Sequence, residues 1–297
     1  MTASTKHLFC FGLGYTGRAL GEALSKEGWR VSGTCRTAAE AETRSARKFD
    51  VFLFDGIHCG DGLKDALASA DCVLSTVPPG DNGDPVLNGF RDVLSQKKNL
   101  EWAGYLSTTG VYGDQQGGRV DEDSPTEPES ARGLRRVEAE RGWRELFTRH
   151  RLPIHLFRLA AIYGPGRNAL KRALEGTARR VEKPGLVFSR IHVDDVVQVL
   201  RASIRKPYPG RVYNLADDAP APPEAVVRYA CDLLELPPPP LQTLEEAGLS
   251  PLGVSFYQDS KRVANDRIKQ ELGVSLLFPD YRAGLRKLLE TLERPLS

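Results

Sequence analysis

The sequence predicts an α/β fold, in which a doubly wound parallel sheet carries helices on both faces and is followed by a smaller C-terminal lobe. Through residue 160, short apolar or β-branched runs alternate with longer segments whose apolar residues have helical spacing. Runs of this kind are typical of strands that are buried on both faces. After residue 160 the composition changes, with a Gly-, Arg- and Lys-rich stretch at 164–190 and a Pro-rich stretch at 219–253. The change marks the expected lobe.

The predicted elements alternate between strand and helix. The predicted strands are 7–11, 30–35, 50–54, 71–76, 103–108 and 154–159. The predicted helices between them are 16–27, 38–47, 61–69, 84–98 and 131–150. Such alternation is typical of right-handed crossover units, which build a parallel sheet. We therefore expect a first domain at 1–160, to which 190–215 returns, and a lobe formed by 161–189 and 216–297.

Composition excludes several classes of protein. The chain has 297 residues, with 41 Lys and Arg against 39 Asp and Glu and a net charge of +2. This balance provides no field over the whole molecule that would attract nucleic acid or an anionic membrane. No apolar run approaches the ~20 residues of a membrane span, and the five cysteines include no Cys-x-x-Cys pair. We expect a cytoplasmic protein with no metal site and no nucleic-acid or membrane partner.

A glycine-rich turn between the first predicted strand and helix is the strongest local signal. It reads Gly12-Leu13-Gly14-Tyr15-Thr16-Gly17. In a dinucleotide-binding turn the first glycine permits the tight bend, the second lets the backbone approach a pyrophosphate, and the third lets the helix pack close to the strand. The helix N-terminus adds N–H donors and partial positive charge. The turn predicts a Rossmann-like fold that binds a pyrophosphate; the alternative is a glycine-rich turn that binds nothing.

The end of the second predicted strand indicates which dinucleotide to expect. NAD-selective sites usually place Asp or Glu there to bind the ribose 2′-hydroxyl. This chain has Cys35 and Arg36, and we expect no carboxylate at this position. A guanidinium forms forked, charge-assisted hydrogen bonds with phosphate. We expect NADP rather than NAD, although Arg36 could also be a solvated loop cation. Asp55, after the third strand, either accepts a hydrogen bond from the adenine amino group or only begins a turn.

Further motifs follow the glycine turn in a fixed order. They are STVPP at 75–79, LSTTGVYG at 106–113, DEDSP at 121–125, FRLAAIYGPGR at 157–167, RIHVDDVV at 190–197 and VYNLADD at 212–218. In this order the chain resembles the extended short-chain dehydrogenases/reductases of the nucleotide-sugar epimerase/dehydratase type. The resemblance implies a Rossmann domain that binds NAD(P) and a small-molecule substrate between it and the lobe. It also implies, by analogy, a homodimer. The implied cofactor contacts beyond the glycine turn are Ser75, Thr76, Val77 and Pro78.

The resemblance also implies a catalytic set of a Ser or Thr, a Tyr and a Lys, which together support hydride transfer. Thr108 falls at the Ser or Thr position, shortly before Tyr112. The Tyr and Lys belong on the next helix as Tyr-x-x-x-Lys, but these positions hold Arg132 and Arg136. An arginine stays protonated and is a poor general acid, although Arg136 is still able to hydrogen-bond the ribose. The chain therefore resembles an atypical branch of the family.

Other side chains are candidates for the missing functions. Tyr112 and Tyr163 follow strand ends on the side where α/β sheets bind ligands; each is either a proton donor or a packed loop phenol. His192 either contacts the substrate or helps to cap a helix. Arg158 and Arg167 lie where a substrate phosphate would bind, with ordinary surface charge as the alternative. We also expect the long acidic segment 114–130 to border the substrate pocket.

Two functions remain open at this stage. The first is an NAD(P)-dependent oxidoreductase or epimerase-like enzyme for a small nucleotide-sugar or phosphorylated substrate, with Thr108, Tyr112 and Arg136 at its catalytic site. The second is a non-catalytic NADP(H)-binding sensor or scaffold. The complete glycine turn and Thr108 favour the enzyme, whereas the missing tyrosine favours the sensor.

Overall fold

A computed structural model describes residues 5–45 and 49–292. The chain divides into two compact units. The first unit comprises Met1–Thr108, Ala131–Arg158 and Val197–Tyr213, and the second comprises Thr109–Ser130, Leu159–Val196 and Asn214–Ser297. The expected first domain differs from this division chiefly at 109–130, which belongs to the second unit. The reason is a strand pair within the second unit, described below.

The first part of the chain forms regular strand–helix repeats. Its elements are β1 His7–Phe11, α1 Tyr15–Lys26, β2 Arg30–Cys35, α2 Ala38–Ser45, β3 Asp50–Leu53, α3 Leu63–Ser69, β4 Cys72–Ser75, α4 Pro85–Ser95 and β5 Trp102–Thr108. Every strand predicted here is present. Helix α2 is followed by residues 46–48, so the predicted end of this helix at residue 47 lies outside the described residues.

The later part of the chain mixes long helices with very short strands. Its elements are a 3₁₀ turn at Thr109–Tyr112, β6 Arg119–Val120, α5 Ala131–His150, β7 Ile154–Leu159, β8 Ala161–Tyr163, α6 Ala169–Leu174, β9 Arg180–Val181, β10 Arg190–His192, α7 Val193–Arg205, β11 Val212–Leu215, α8 Pro223–Leu234, β12 Leu241–Gln242, α9 Pro251–Phe256, β13 Arg262–Val263, α10 Asp266–Leu272 and α11 Tyr281–Thr291. Among the residues that the structure describes, no helix is both long enough and apolar enough to cross a membrane.

Seven strands form the central sheet, in the order β11-β7-β5-β4-β1-β2-β3. Strand β1 pairs in parallel with β2 and β4, and the pairs β2–β3 and β4–β5 are parallel as well. The order reverses at β1, between β2 and β4, which is the switch point where open α/β sheets bind ligands. This arrangement confirms the predicted Rossmann-like, doubly wound parallel sheet.

The core of the first unit contains a cluster of aromatic rings. Phe9 and Phe11 of β1 are fully buried, with ring centroids 4.9 Å apart in an edge-on arrangement. Phe90 of α4 lies 5.0 Å from the Phe11 ring and 5.3 Å from the Phe54 ring. Burial of such rings is a large source of hydrophobic stabilisation. It holds the carboxyl end of β1, where the glycine turn begins, in a fixed position.

The second unit is held together by short parallel strand pairs. Strand β8 pairs with β10, β9 with β12, and β6 with β13. The β6–β13 pair joins residues 119–120 to 262–263, which is why segment 109–130 belongs to this unit. The same segment is tied down beside Ser260, whose carbonyl accepts hydrogen bonds from the amides of Gln115 and Gly117 at 3.1 and 2.9 Å. The long acidic segment therefore starts as an anchored loop, and its expected place beside a substrate stays a prediction.

Candidate functional site

Two glycines of the predicted turn are required by the protein itself. Gly12 has a φ of +87°, and a Cβ there would lie 2.6 Å from the Thr76 hydroxyl oxygen. A Cβ on Gly17 would lie 2.6 Å from the carbonyl oxygen of Gly12 and 2.7 Å from the Cys10 sulfur. At contacts this short a neighbouring atom must move, and at Gly17 that atom belongs to the backbone of the turn. These two positions explain the sharp bend and the close approach of α1 to β1.

Gly14 differs from both neighbours, because neither its conformation nor its packing requires a glycine. Its φ is −78°, which any residue adopts. A Cβ added to it would meet no protein atom within 4 Å. The open space lies at the N-cap of α1, where helix N–H donors and the helix dipole favour an anion. The residues present thus fit a dinucleotide pyrophosphate at this turn.

Hydrogen bonds to two threonines hold the turn in shape. The amide of Gly12 donates to the Thr34 hydroxyl at 2.9 Å, and the amide of Leu13 donates to the Thr34 carbonyl at 2.8 Å. From the other side, the Thr76 hydroxyl donates to the Gly12 carbonyl at 2.7 Å. Leu13 is fully buried and its amide is already bonded to Thr34, so this residue supports the turn from within. The turn is preorganised, which lowers the entropy lost on binding.

The turn after β2 carries both a cation and a carboxylate. Cys35 is buried, with its thiol donating to the Thr37 carbonyl at 3.3 Å, whereas Arg36 is exposed. Within the part of the chain that the structure describes, the Arg36 guanidinium has no acidic partner. The Arg36 amide, however, donates to Glu40 Oε2 at 3.1 Å. The expectation that no carboxylate lies at this turn was wrong, because Glu40 reaches it.

The missed Glu40 has a recognisable sequence signal. Its own amide donates to the Thr37 hydroxyl at 3.3 Å, so Thr37 caps α2. Thr37 and Glu40 thus have the spacing of a capping box, in which the glutamate reaches back to the residues before the helix. The Thr-x-x-Glu spacing therefore predicts, from sequence, a carboxylate close to the end of β2.

Asp55 is used by its own turn. Its Oδ1 accepts hydrogen bonds from the amides of Ile57 and His58 at 2.8 and 2.7 Å, and its Oδ2 lies 3.0 Å from His58 Nδ1. The His58 ring and the two amides hold the pKa of this carboxyl well below its usual range. The structure therefore favours the turn-forming role over the expected contact with adenine.

The residues after β4 have mixed accessibility. Ser75 is fully buried, and its hydroxyl has no hydrogen-bond partner within the described ranges. Thr76 and Val77 are partly buried, with Val77 packed against the core of the first unit, and Pro78 is exposed. Because the Thr76 hydroxyl is bonded to Gly12, the side chain supports the glycine turn. A direct cofactor contact from 75–78 stays a prediction.

Arg158 does not have the substrate-binding position that the sequence suggested. Its Nη2 lies 2.8 Å from Glu140 Oε2, and its Nε lies 3.1 Å from Oε1. The two side chains are 4% and 5% exposed. Ser107 donates a third hydrogen bond, of 2.5 Å, to Glu140 Oε1. The guanidinium is therefore part of a buried structural network on β5, α5 and β7.

Tyr112 is not placed to act as a proton donor. It is fully buried in the second unit, and its hydroxyl donates to Asn214 Oδ1 at 2.7 Å. The Asn214 amide in turn donates to Glu122 Oε1 at 2.8 Å. A phenol held in this way packs the loop, which was the alternative that the sequence left open. The expected catalytic role of Tyr112 is not supported.

Tyr163 and His192 are likewise core residues of the second unit. Tyr163 is 8% exposed and packs on α11, where a Cβ on Gly284 would overlap its hydroxyl. The buried His192 ring lies edge-on to Tyr163 at 5.1 Å, and its Nδ1 accepts a hydrogen bond from the Asp194 amide at 3.2 Å. Burial lowers the pKa of His192. Both side chains are packed within the second unit, and a contact of either with a substrate stays a prediction.

Arg167 is the expected substrate-binding residue that remains exposed. It closes a tight turn with Gly164, in which the two backbones exchange hydrogen bonds of 3.0 Å. Its role toward a substrate stays a prediction.

Comparison with known proteins identifies the family. A model described as the NAD dependent epimerase/dehydratase family matches residues 90–216. The solved structure of a functionally unknown conserved protein from Silicibacter pomeroyi DSS is 46% identical to this chain, with a TM-score of 0.89. The match covers 96% of this chain and 99% of that one. Residues 90–216 belong to the NAD dependent epimerase/dehydratase family, and over its length the chain shares a family with the Silicibacter pomeroyi protein.

Two further proteins are similar to this chain over nearly its whole length, at lower identity. Protein YeeZ of Escherichia coli K12 is 29% identical in an alignment that covers 93% of this chain and 97% of YeeZ. The dTDP-glucose 4,6-dehydratase of Bacillus anthracis, solved in complex with NAD, is 17% identical and matches 98% of both chains with a TM-score of 0.76. At that identity the likeness to the dehydratase shows the fold alone.

Helix α5 carries Arg136 at the position where the family pattern of the sequence analysis has a lysine. Arg136 is 7% exposed, and its Nη1 donates to the Leu106 carbonyl at 2.7 Å and to the Tyr105 hydroxyl at 3.1 Å. Its Nε is buried without an acceptor in the described chain. The guanidinium is thus fixed against β5, and Arg132, at the expected tyrosine position, is exposed.

Asp217 is a buried carboxyl that was not predicted from the sequence as a functional residue. It is 1% exposed, and its Oδ1 accepts only a long hydrogen bond of 3.3 Å from the Ala219 amide. Its Oδ2 has no partner among residues 5–45 and 49–292. Burial raises the pKa of Asp217 to about 8, against the opposing charge of Arg190. In sequence, Asp217-Asp218 looks like an ordinary polar turn. Only the burial of Asp217 in the structure distinguishes it from an exposed turn residue.

Proposed function

We propose that this chain is an NADP(H)-binding oxidoreductase or epimerase-like enzyme that acts on a small nucleotide-sugar or phosphorylated substrate. Gly14 is the observation that carries the proposal. Because neither φ nor packing explains this glycine, a ligand that approaches the backbone provides the reason for it. The related fold of a dehydratase solved with NAD supports the same assignment.

The residues that would hold the dinucleotide lie on two loops of the first unit. In the turn at residues 12–17, the backbone N–H groups at the N-terminus of α1 would bind the pyrophosphate, while the amides of Gly12 and Leu13 bond to Thr34. Arg36 would bind the 2′-phosphate, which is why we propose NADP over NAD. The bound dinucleotide would supply or accept a hydride through its nicotinamide ring. Thr108, which is half-buried at the end of β5, would donate a hydrogen bond to a substrate oxygen and polarise its bond to carbon.

A second candidate function is a sensor or scaffold that binds NADP(H) without hydride transfer. Specific observations favour it: Tyr112 is fully buried on Asn214, and Arg136 is fixed on the Leu106 carbonyl. Neither group is placed to give a proton to a substrate oxygen, and an arginine is a poor acid in any case. The two candidates share the dinucleotide and differ only in turnover.

The first experiment tests nucleotide binding itself. NADPH and NADH are titrated calorimetrically into the wild type, Gly14→Ala and the control Gly89→Ala. A Cβ at Gly89 on α4 also meets no protein atom within 4 Å, so both variants are expected to fold. We expect Gly14→Ala to weaken NADPH binding by about 1–3 kcal/mol, since the methyl group displaces the pyrophosphate from its hydrogen bonds. Equal affinities of all three proteins, or no binding by the wild type, would overturn the proposal.

The second experiment separates enzyme from sensor. NADPH oxidation is followed with a panel of carbonyl compounds and nucleotide sugars, for the wild type and Thr108→Ala. Turnover that is lost in Thr108→Ala, while NADPH still binds, supports the enzyme. Tight NADPH binding with no turnover across the panel supports the sensor.

A further inference from the structure

Glu40 lies at the turn where the proposed function places the adenosine 2′-phosphate. Its Oε2 accepts the hydrogen bond of the Arg36 amide at 3.1 Å. The side chain is partly buried, whereas the Arg36 side chain is exposed. The hydrogen bond from the Glu40 amide to the Thr37 hydroxyl holds the Glu40 backbone in the first turn of α2. A carboxylate and a guanidinium therefore lie at one short turn. Their distances to a ligand bound there depend on the backbone conformation of the turn.

The carboxylate and a 2′-phosphate compete for the same donor. A phosphate at a helix-forming turn is bound by backbone N–H groups as well as by arginine, and the Arg36 amide is already bonded to Glu40. The two groups also carry like charges, which repel at the short distances of a single turn. A ribose 2′-hydroxyl has no such conflict, because a hydroxyl can donate a hydrogen bond to a carboxylate.

We infer that Glu40 is a specificity-determining residue that opposes the 2′-phosphate and so reduces the preference of this chain for NADP over NAD. The inference rests on the proposed function, since it needs a dinucleotide at the β2–α2 turn. Arg36 attracts the 2′-phosphate and Glu40 repels it, so the balance between them sets the nucleotide preference. Residue 36 alone does not determine this preference.

The test compares two glutamates of one helix. Glu40→Gln keeps an oxygen that accepts the Arg36 amide, removes the charge and adds an amide donor for phosphate. Glu42→Gln makes the same change two residues further along α2, at an exposed side chain. Dissociation constants for NADPH and NADH are measured by calorimetry for the wild type and both variants. Circular dichroism and thermal melting confirm that each variant is folded.

We expect Glu40→Gln to bind NADPH about threefold to tenfold more tightly than the wild type, as removal of a like charge across a solvated turn implies. NADH affinity should stay the same or weaken, and Glu42→Gln should change neither nucleotide to that extent. Repeating the titrations in about 1 M salt, where the Debye length falls to about 3 Å, should reduce the gain.

Several outcomes would overturn the inference. One is an NADPH-to-NADH affinity ratio that Glu40→Gln leaves unchanged, and another is an equal effect of Glu42→Gln. A lower melting temperature of Glu40→Gln with the ratio unchanged would show that the residue only caps α2. In all these cases the wild type still binds a nucleotide, so the proposed function stands. A wild type that binds neither nucleotide overturns the proposed function and the inference together.

Discussion

The Arg158 guanidinium forms a fork on the Glu140 carboxylate, with Nη2 at 2.8 Å from Oε2 and both side chains almost fully buried. An isolated charge at such a depth would cost several kcal/mol, so each group requires the other. Because Glu140 lies on α5 and Arg158 on β7, the pair fixes the helix against the sheet. Arg136, one turn before Glu140, joins the same helix to β5 through the Leu106 carbonyl.

Removal of one partner of this pair should destabilise the protein strongly. We expect Arg158→Leu to lower the free energy of unfolding by about 3–5 kcal/mol, because it leaves the Glu140 carboxylate buried and unpaired. Urea denaturation measures the change. The control is Glu138→Gln, which breaks the exposed pair with Arg141 on the same helix and should cost less than about 1 kcal/mol. A similar small loss in both variants would contradict the importance of the buried pair.

Gly17 should be intolerant of a methyl group for a reason that does not involve ligand. Its Cβ would lie 2.6 Å from the Gly12 carbonyl oxygen, so we expect Gly17→Ala to lose about 1–3 kcal/mol of stability through overpacking. Gly89→Ala, in open space on α4, should be neutral or stabilising, since alanine is the better helix former. Thermal unfolding compares the two. Equal melting temperatures would show that α1 is able to move away from β1.

Tyr112→Phe should affect stability rather than nucleotide binding. The change leaves Asn214 Oδ1 without its donor, and an unsatisfied buried acceptor costs about 1–3 kcal/mol. The control is Tyr257→Phe, since the Tyr257 hydroxyl has no hydrogen-bond partner in the described residues; it should unfold like the wild type. NADPH affinity should be equal in all three proteins. Intact stability combined with lost turnover would restore Tyr112 as a proton donor.

Asp217 should make the stability of the folded chain depend on pH. In the native protein burial raises the pKa of this carboxyl to about 8, whereas an unfolded chain has a value near 3.9. The native state therefore binds the proton more tightly, and the stability gained from it is complete below about pH 4. That stability is lost as the pH rises toward about 8, with a slope of up to about 1.36 kcal/mol per pH unit.

Asp217→Asn removes this titration, because an amide stays neutral. We expect the variant to become more stable relative to the wild type as the pH rises from 5 to 8, and the difference to level off above 8. Urea denaturation at each pH measures the difference, and Asp232→Asn, an exposed carboxylate, is the control. Parallel stability curves for the wild type and Asp217→Asn would show that the buried carboxyl finds a partner.

Arg36→Asp tests the 2′-phosphate contact of the proposed function. We expect NADPH affinity to fall by about 1–3 kcal/mol, the range for loss of a hydrogen bond to a charged group, and NADH affinity to fall less. Calorimetric titration of both nucleotides provides the comparison within one variant. Equal losses for NADPH and NADH would remove Arg36 from the phosphate site.

The order of secondary structure and the glycine turn were predictable, because both depend on local sequence. Buried strands need apolar runs, and only glycine tolerates the φ of +87° at Gly12. The β2–α2 turn was partly predictable: Arg36 was visible, and the Thr37-x-x-Glu40 capping spacing would have revealed the carboxylate that was missed. The side chains of the second unit were not predictable, because Tyr112, Tyr163 and His192 look alike in sequence whether they face a ligand or a core.

The sequence by itself determined that this chain forms a Rossmann-like sheet with a turn suited to a pyrophosphate, since periodicity and glycine positions specify backbone shape. Only the tertiary structure decided which polar side chains are available for chemistry. Arg158 is bound to Glu140, Tyr112 to Asn214, and Asp217 is buried with an oxygen unsatisfied among the described residues. The physical reason is that burial and partner choice depend on residues tens of positions away, which local patterns do not encode.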